Sequence, residues 1–162
     1  MPICERICTL WIKGKLHSIT FVNVYAPTED TKDEIVDKFY ETLQSVCDKL
    51  PKHDAVITLG DSNAKLGKEQ TYRDNIGRHS LHETTSNNGF RLVQYATTNN
   101  FKVLSTWYPR KDINKGTWKI PGTNQIDHIL VSKRWATDIE NIRTYRGANS
   151  DLDHFLVGAR LK

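Results

Sequence analysis

The chain has 162 residues, 38% hydrophobic and 26% charged, the balance expected of one ordinary globular domain with its own core. Its 23 Lys and Arg against 19 Asp and Glu leave a net charge of +4, which accommodates a polyanionic partner without demanding one. No apolar run approaches the ~20 residues of a membrane span, and the opening Met1-Pro2-Ile3-Cys4 has no signal-peptide layout, so an intracellular protein, nuclear or cytoplasmic, is expected.

Residues 5–12 and 17–25 are strand-like on either side of Lys13-Gly14-Lys15 and predict a β-hairpin whose second arm ends at Tyr25. Thr31 and Glu34 stand at capping-box spacing, and Ile35, Phe39, Leu43, Val46 and Leu50 recur at threes and fours. This predicts an amphipathic helix over 31–50 that stops at Pro51 and carries Cys47 on its apolar face. Cys4, Cys8 and Cys47 are scattered, which argues against a disulfide framework, and no spacing closes a zinc site.

Residues 55–59 make an unbroken apolar run, the pattern of a strand buried on both faces, aimed at Asp61. The polar stretch 64–88 is too long for a passive connector and predicts a functional surface loop. Asn87 or Asn88 can cap a helix over 89–99 with Phe90, Val93, Tyr95 and Ala96 facing inward. Strands are expected at 101–106, 124–132, 141–145 and 154–161.

Chemistry concentrates in three strings: GDSNA with Asp61 and Asn63, NQIDHIL with Asp127, and SDLDHFLV with Asp153 and His154. Each follows or sits in an apolar run, so polar groups that are costly inside a core arrive at strand ends, where they can converge. Taken singly, each has a plainer reading. Gly-Asp-x-Asn after a strand often makes an Asx-turn, Tyr25 suits a strand-end aromatic, and Asn88 suits a helix cap. Alternation sends Asp127 and His128 to opposite faces, which makes His128 a packing residue. Trp107, Arg110, Lys111, Lys115, Trp118 and Lys119 form an aromatic and basic stretch that suits base stacking and phosphate neutralisation, or equally a hairpin with solvated charges. His17, His53, His79 and His82 show no ligand spacing.

The order NVYAP, GDSNA, GRHSLHETTSNNGFRL, KGTW, NQIDHIL and DLDHFLV runs from Glu5 to Leu161. It resembles the endonuclease/exonuclease/phosphatase superfamily, within it the endonucleases of non-LTR retrotransposons and the craniofacial development protein 2-like proteins. The resemblance implies an α/β (α+β) fold, a four-layer αββα sandwich in one domain over 1–162, lacking the family's N-terminal strands and helix and the metal-binding glutamate they carry. It implies a metal-dependent phosphodiesterase using Mg²⁺ or Mn²⁺, a DNA endonuclease of apurinic-endonuclease-like type, impaired by that loss. The alternatives are a non-catalytic remnant that binds nucleic acid or protein, or a phosphatase or RNA deadenylase of the same superfamily.

Carried over residue by residue, the resemblance places Tyr25 near the scissile phosphate and Asp61 and Asn63 around the attacking water. Asp127 would stand behind His154, raising its pKa and keeping it cationic against the phosphate. Asp61, Asn63 and Asp153 would border the metal, and Asn88 and Trp118 would touch substrate. DNA is the implied partner, no membrane is implied, and the sheet surface left open would favour association. Ser62 stands where the family has a bulky apolar residue and Leu152 where it has a serine; Ser150-Asp151 offers a shifted pair beside the preferred Asp153.

Overall fold

The computed structural model describes residues 1–119, 122–147 and 153–162; Ser150, Asp151 and Leu152, with the shifted Ser-Asp pair, lie outside them. The hairpin forms as β2 (Ile7–Ile12) and β3 (Ile19–Tyr25), with β1 (Pro2–Cys4) added on its outer edge. β3 then pairs in parallel with β4 (Ala55–Asp61), which pairs antiparallel with β6 (Asp127–Ser132), and β5 (Phe101–Val103) closes the order β1-β2-β3-β4-β6-β5. The apolar run at 55–59 lengthens by two residues because Gly60 and Asp61 stay in the ladder opposite Val24 and Tyr25. Gly60 has φ 127°, and a Cβ there would stand 2.1 Å from the Val24 carbonyl oxygen, so only glycine carries the strand this close to its neighbour.

Both helices lie on one face of this sheet. α1 (Asp33–Asp48) buries Val36, Phe39, Leu43 and Val46, while Ile35 is 52% exposed. The inward stripe is thus set one residue later at its start than the sequence pattern suggests. The capping box does not form: Lys32 occupies the cap position without a side-chain bond, and the Thr31 hydroxyl pairs with that of Thr28 at 3.1 Å. α2 (Asn87–Thr98) is capped by Ser86, whose Oγ accepts from the Gly89 N–H at 3.2 Å, rather than by Asn87 or Asn88. Leu92, Val93, Tyr95 and Ala96 face the sheet and Phe90 is 46% exposed. Together with Ile7, Val22, Val24, Phe101, Val103 and Leu130 these residues form the larger core.

The opposite face carries a two-stranded antiparallel ribbon, β7 (Ile139–Tyr145) and β8 (Leu156–Leu161). Ile57, Leu104, Ile129, Val131, Ala136, Ile139 and Ile142 make a second core beneath it. The described residues therefore stack as helices, sheet and ribbon, three layers of the expected mixed α/β sandwich. The ribbon leaves part of this face uncovered, where Leu10 and Ile12 are exposed.

Two expected elements differ in kind. The 64–88 segment is a packed strap: Ala64, Leu66, Asn75, Ile76, Ser80 and Thr85 are buried in it, and Ile76 bridges Val103 beside β5. Its polar side chains satisfy one another inside; Glu69, for example, accepts from the Thr85 backbone at 2.7 Å and from its hydroxyl at 2.8 Å. The 101–106 strand stops at Val103, because the Thr106 hydroxyl donates to the Val103 carbonyl at 2.7 Å and closes a 3-10 turn.

The helix register makes a direct prediction. Leu43→Ala empties a fully buried site and should cost about 3 kcal/mol, whereas Ile35→Ala should change stability by less than about 0.5 kcal/mol. Urea unfolding midpoints at constant slope measure both, and equal losses would mean that α1 sits rotated on the sheet.

Candidate active site

Strand pairing alone assembles the centre of the site. Tyr25 of β3 is the register partner of Asp61 of β4, and Asp61 is the partner of Asp127 of β6. Since residues paired across a sheet project on the same side, the three side chains form one cross-strand row on the ribbon face. The row stands where parallel β3 and β4 end. His128, next to Asp127, points the other way and is fully buried: its Nε2–H donates to the Ala64 carbonyl at 2.9 Å, and its Nδ1 accepts from Ser105 Oγ at 2.8 Å. Burial pushes its pKa down to about 4, as a packing imidazole requires.

His154 reaches the row from a separate segment. Residues 153–155 run antiparallel to 117–119, with the Lys119 N–H on the Asp153 carbonyl at 3.0 Å and the Phe155 N–H on the Thr117 carbonyl at 2.7 Å. Thr117, buried to 1% exposure, also accepts through Oγ1 from the backbone of Ile126 (3.1 Å) and of Asp127 (3.2 Å). One residue thus ties the strand of Asp127 to the strand of His154. Sequence reasoning missed it, although the KGTW string contains it.

The imidazole sits between the carboxylates. His154 Nδ1 lies 3.0 Å from Asp127 Oδ2 and donates to it, and Nε2 lies 3.8 Å from Asp61 Oδ2. Asp61, Asp127 and His154 each offer a ligand atom within 4.8 Å of the others. Desolvation, with the charge of Asp127 adding to it, pushes the Asp61 pKa up to about 6, against the opposing backbone hydrogen bond from Asn63. A second carboxylate so close is a site that stabilises a cation or a proton.

Asn63 follows in the left-handed region at φ 44°. Its backbone N–H donates to Asp61 Oδ1 at 2.8 Å, and its amide nitrogen donates to the Ala26 carbonyl at 2.8 Å and to Asp61 Oδ2 at 3.3 Å, leaving Oδ1 as its remaining polar atom. Asp153 is exposed at the rim, where the Trp118 indole N–H donates to it at 3.1 Å and holds its pKa low. The Trp118 and His154 rings are 6.5 Å apart. Between Asp61 and Asn63 the Ser62 side chain is buried with no partner for its hydroxyl among the described residues.

Other expected residues fall elsewhere. Asn88 is 2% exposed and donates both amide hydrogens inward, to the Pro27 and Asn63 carbonyls at 3.0 Å each. It braces the two loops under the site and has no donor left for a substrate. Trp107 packs in the second core under Lys102, Arg110 bonds Asn141, and Lys115 pairs with Asp112. Trp118 and Lys119 lie beside His154, Arg110 and Lys115 line a small cavity that reaches Asp127, and Lys119 and Arg146 cover the Phe155 ring at 4.7 and 4.6 Å. An apolar cleft of about 370 Å³, lined by Phe21, Leu59, Ile129, Phe155 and Leu156, opens beside Asp127.

Comparison with known proteins agrees with this architecture. No family model matches the chain. Craniofacial development protein 2 from Bos taurus is 29% identical over 165 residues, covering 98% of this chain and 27% of that protein, so the chain spans about a quarter of its length. The endonuclease domain of TRAS1, a telomere-specific non-LTR retrotransposon, superposes with a TM-score of 0.69 at 17% identity, over 97% of this chain and 62% of that one. A 3'-5' exonuclease from Neisseria meningitidis superposes with a TM-score of 0.68 at 21% identity, over 96% and 64%. The chain has the fold of the endonuclease/exonuclease/phosphatase superfamily, and its sequence is similar to craniofacial development protein 2.

The raised Asp61 pKa has a sign that can be tested. The unfolded chain ionises this carboxyl near 3.8 and the folded chain near 6, so its contribution to stability is intact below pH 3.8 and is lost as pH rises toward 6. Asp61→Asn should therefore stabilise the metal-free protein at pH 7 by on the order of 2 kcal/mol and leave it unchanged near pH 3.5. Thermal unfolding across that range decides, and a destabilised variant at pH 7 would refute the electrostatic conflict.

Proposed function

We propose that the chain is a metal-dependent phosphodiesterase acting on DNA, an endonuclease of the retrotransposon, apurinic-endonuclease-like type. The observation that carries this reading is the cross-strand row with His154 over it: two carboxylates and an imidazole in mutual reach, beside an asparagine and a tyrosine, at the end of parallel strands. The fold shared with nucleases and the cations Lys119 and Arg146 on the Phe155 ring, next to His154, support it.

In this reading Asp61 accepts a hydrogen bond from the attacking water and orients it toward the phosphate. Asn63 Nδ2 fixes the orientation of Asp61 Oδ2. Asp127 holds a proton on His154 Nδ1, which directs Nε2 toward the space a phosphoryl oxygen would fill; an imidazolium there stabilises the charge that develops in the transition state. Tyr25, at the other end of the row and 53% exposed, offers its hydroxyl to the same phosphate.

The donor set suits Mg²⁺ or Mn²⁺, hard cations satisfied by a few oxygen ligands and water. Asp61 and Asp127 bring two carboxylates together at a cost that a cation removes, Asn63 Oδ1 belongs to the turn that follows Asp61, and Asp153 precedes His154 at the rim. Asp61, Asn63 and Asp153 would hold the ion, and when bound it would polarise the phosphoryl oxygen and lower the pKa of water.

Nicking of supercoiled plasmid by the purified protein tests this. The rate should depend on Mg²⁺ or Mn²⁺ and fall about a hundredfold or more in Asp61→Ala and in His154→Ala. Metal-independent nicking, or full activity in both variants, would reject the assignment. Binding of DNA with no nicking under any metal would favour the non-catalytic alternative.

A further inference from the structure

The end of the sheet remote from the catalytic row concentrates the positive charge of the chain. Three connections meet there: the β2–β3 turn (13–18), the link from α1 to β4 (49–54) and the 3-10 helix Lys133–Asp138 that follows β6. They contain Lys13, Lys15, Lys49, Lys52, Lys133 and Arg134 against Asp54 and Asp138. Taking six from 23 cations and two from 19 carboxylates leaves 17 of each in the rest of the chain, so the whole net charge of +4 resides in these 18 residues.

This charge surrounds a concavity. A bowl of about 630 Å³ opens among the three connections, lined by Lys52, Lys133, Arg134 and Trp135, with the buried Val56 and Phe101 inside it. His17 stacks on the Trp135 ring at 4.0 Å, which fastens the turn of Lys13 and Lys15 to the wall, and the Arg134 guanidinium lies 5.1 Å from the same ring. The carboxylates of the wall are engaged. Asp48 accepts from the Gln44 amide at 2.8 Å, and Asp54, 4% exposed, accepts from the Trp11 indole at 3.0 Å and from the Thr20 hydroxyl at 3.3 Å. The first of the Asp54 bonds holds in place a Trp11 ring that is 54% exposed. None of the six cations forms an ion pair among the described residues. Single cations elsewhere share that condition; their density around one hollow is particular to this end.

Clustered lysine and arginine select a polyanion, and shape selects which one. A flat bilayer meets only the rim of a bowl, and a duplex is too stiff to bend into it. A single strand can follow the wall and lay bases against exposed aromatic rings. β4 spans the seven residues from Ala55 to Asp61, roughly 20 Å, so a phosphate held here is not the one at the catalytic row. We infer that this end is a second nucleic-acid surface, which binds the backbone of a single strand independently of the catalytic row.

Binding of a labelled single-stranded DNA oligonucleotide, followed by fluorescence anisotropy against salt concentration with a metal chelator present, tests this. The triple variant Lys52→Gln, Lys133→Gln, Arg134→Gln should weaken binding about tenfold or more at low salt and lower the salt slope by about 2. The charge-conserving Lys52→Arg, Lys133→Arg, Arg134→Lys should restore both. A control with the same change in net charge, Lys38→Gln, Lys68→Gln, Arg160→Gln, should leave the slope within about 0.5 of the parent. The same loss in an Asp61→Ala background supports a surface separate from the catalytic row, whether or not the chain cuts DNA. An unchanged slope in the triple variant, or an equal loss in the control, overturns the inference and leaves the nuclease reading standing. So does a triple variant that loses binding to vesicles of anionic phospholipid but keeps binding to the oligonucleotide.

Discussion

Two carboxylates placed opposite each other in a β-ladder are the constraint around which this molecule is organised. Asp61 and Asp127 are register partners, share one face, and stand under a partly buried rim. Like charges directly across a ladder repel, and burial deepens the conflict. The fold nevertheless locks the pair in place with backbone hydrogen bonds rather than letting it relax. An imidazole bonded to one carboxylate and close to the other lowers the conflict without abolishing it. What is left is a standing demand for positive charge at a single point.

The supports of this arrangement are mostly neutral and mostly hidden. Gly60 lets β4 run tight against β3, Thr117 binds the strand of Asp127 to the segment of His154, and Asn88 spans the Pro27 and Asn63 carbonyls. Asn63, in the left-handed region, returns its own backbone to the Asp61 carboxylate. Thr117 and Asn88 are buried and act through the backbone groups they bind. Their common effect is to remove freedom from the charged groups, so that little reorganisation is required when an anion enters.

Much of the site was legible in the sequence because its residues sit at the ends of apolar runs, and strand ends are easy to recognise. Asp61, Asp127 and His154 do meet, and alternation correctly turned His128 inward. The helices were found but their registers were not: Val36 and Leu92 face the sheet in place of Ile35 and Phe90. A residue at the margin of an apolar arc is assigned by how the helix lies on the sheet, a tertiary fact absent from local periodicity. The 64–88 segment was misread for a related reason. Its polarity suggests solvent, but its hydroxyls and carboxylates bond to one another within the fold. Asn88 looked like a cap because capping is the commonest local use of asparagine, and only the long-range carbonyls reveal its bracing role.

The strap over β5 has a bearing on how copies of this chain can meet. Asn75 accepts the Val103 N–H through its carbonyl at 2.8 Å and donates its amide to the Phe101 carbonyl at 2.6 Å, so the outward backbone groups of that border are already occupied. The opposite border, along β1 and the open part of β2, carries no such closure among the described residues. With those groups occupied, the β5 margin of the six-stranded sheet holds no template on which another chain could lay a strand.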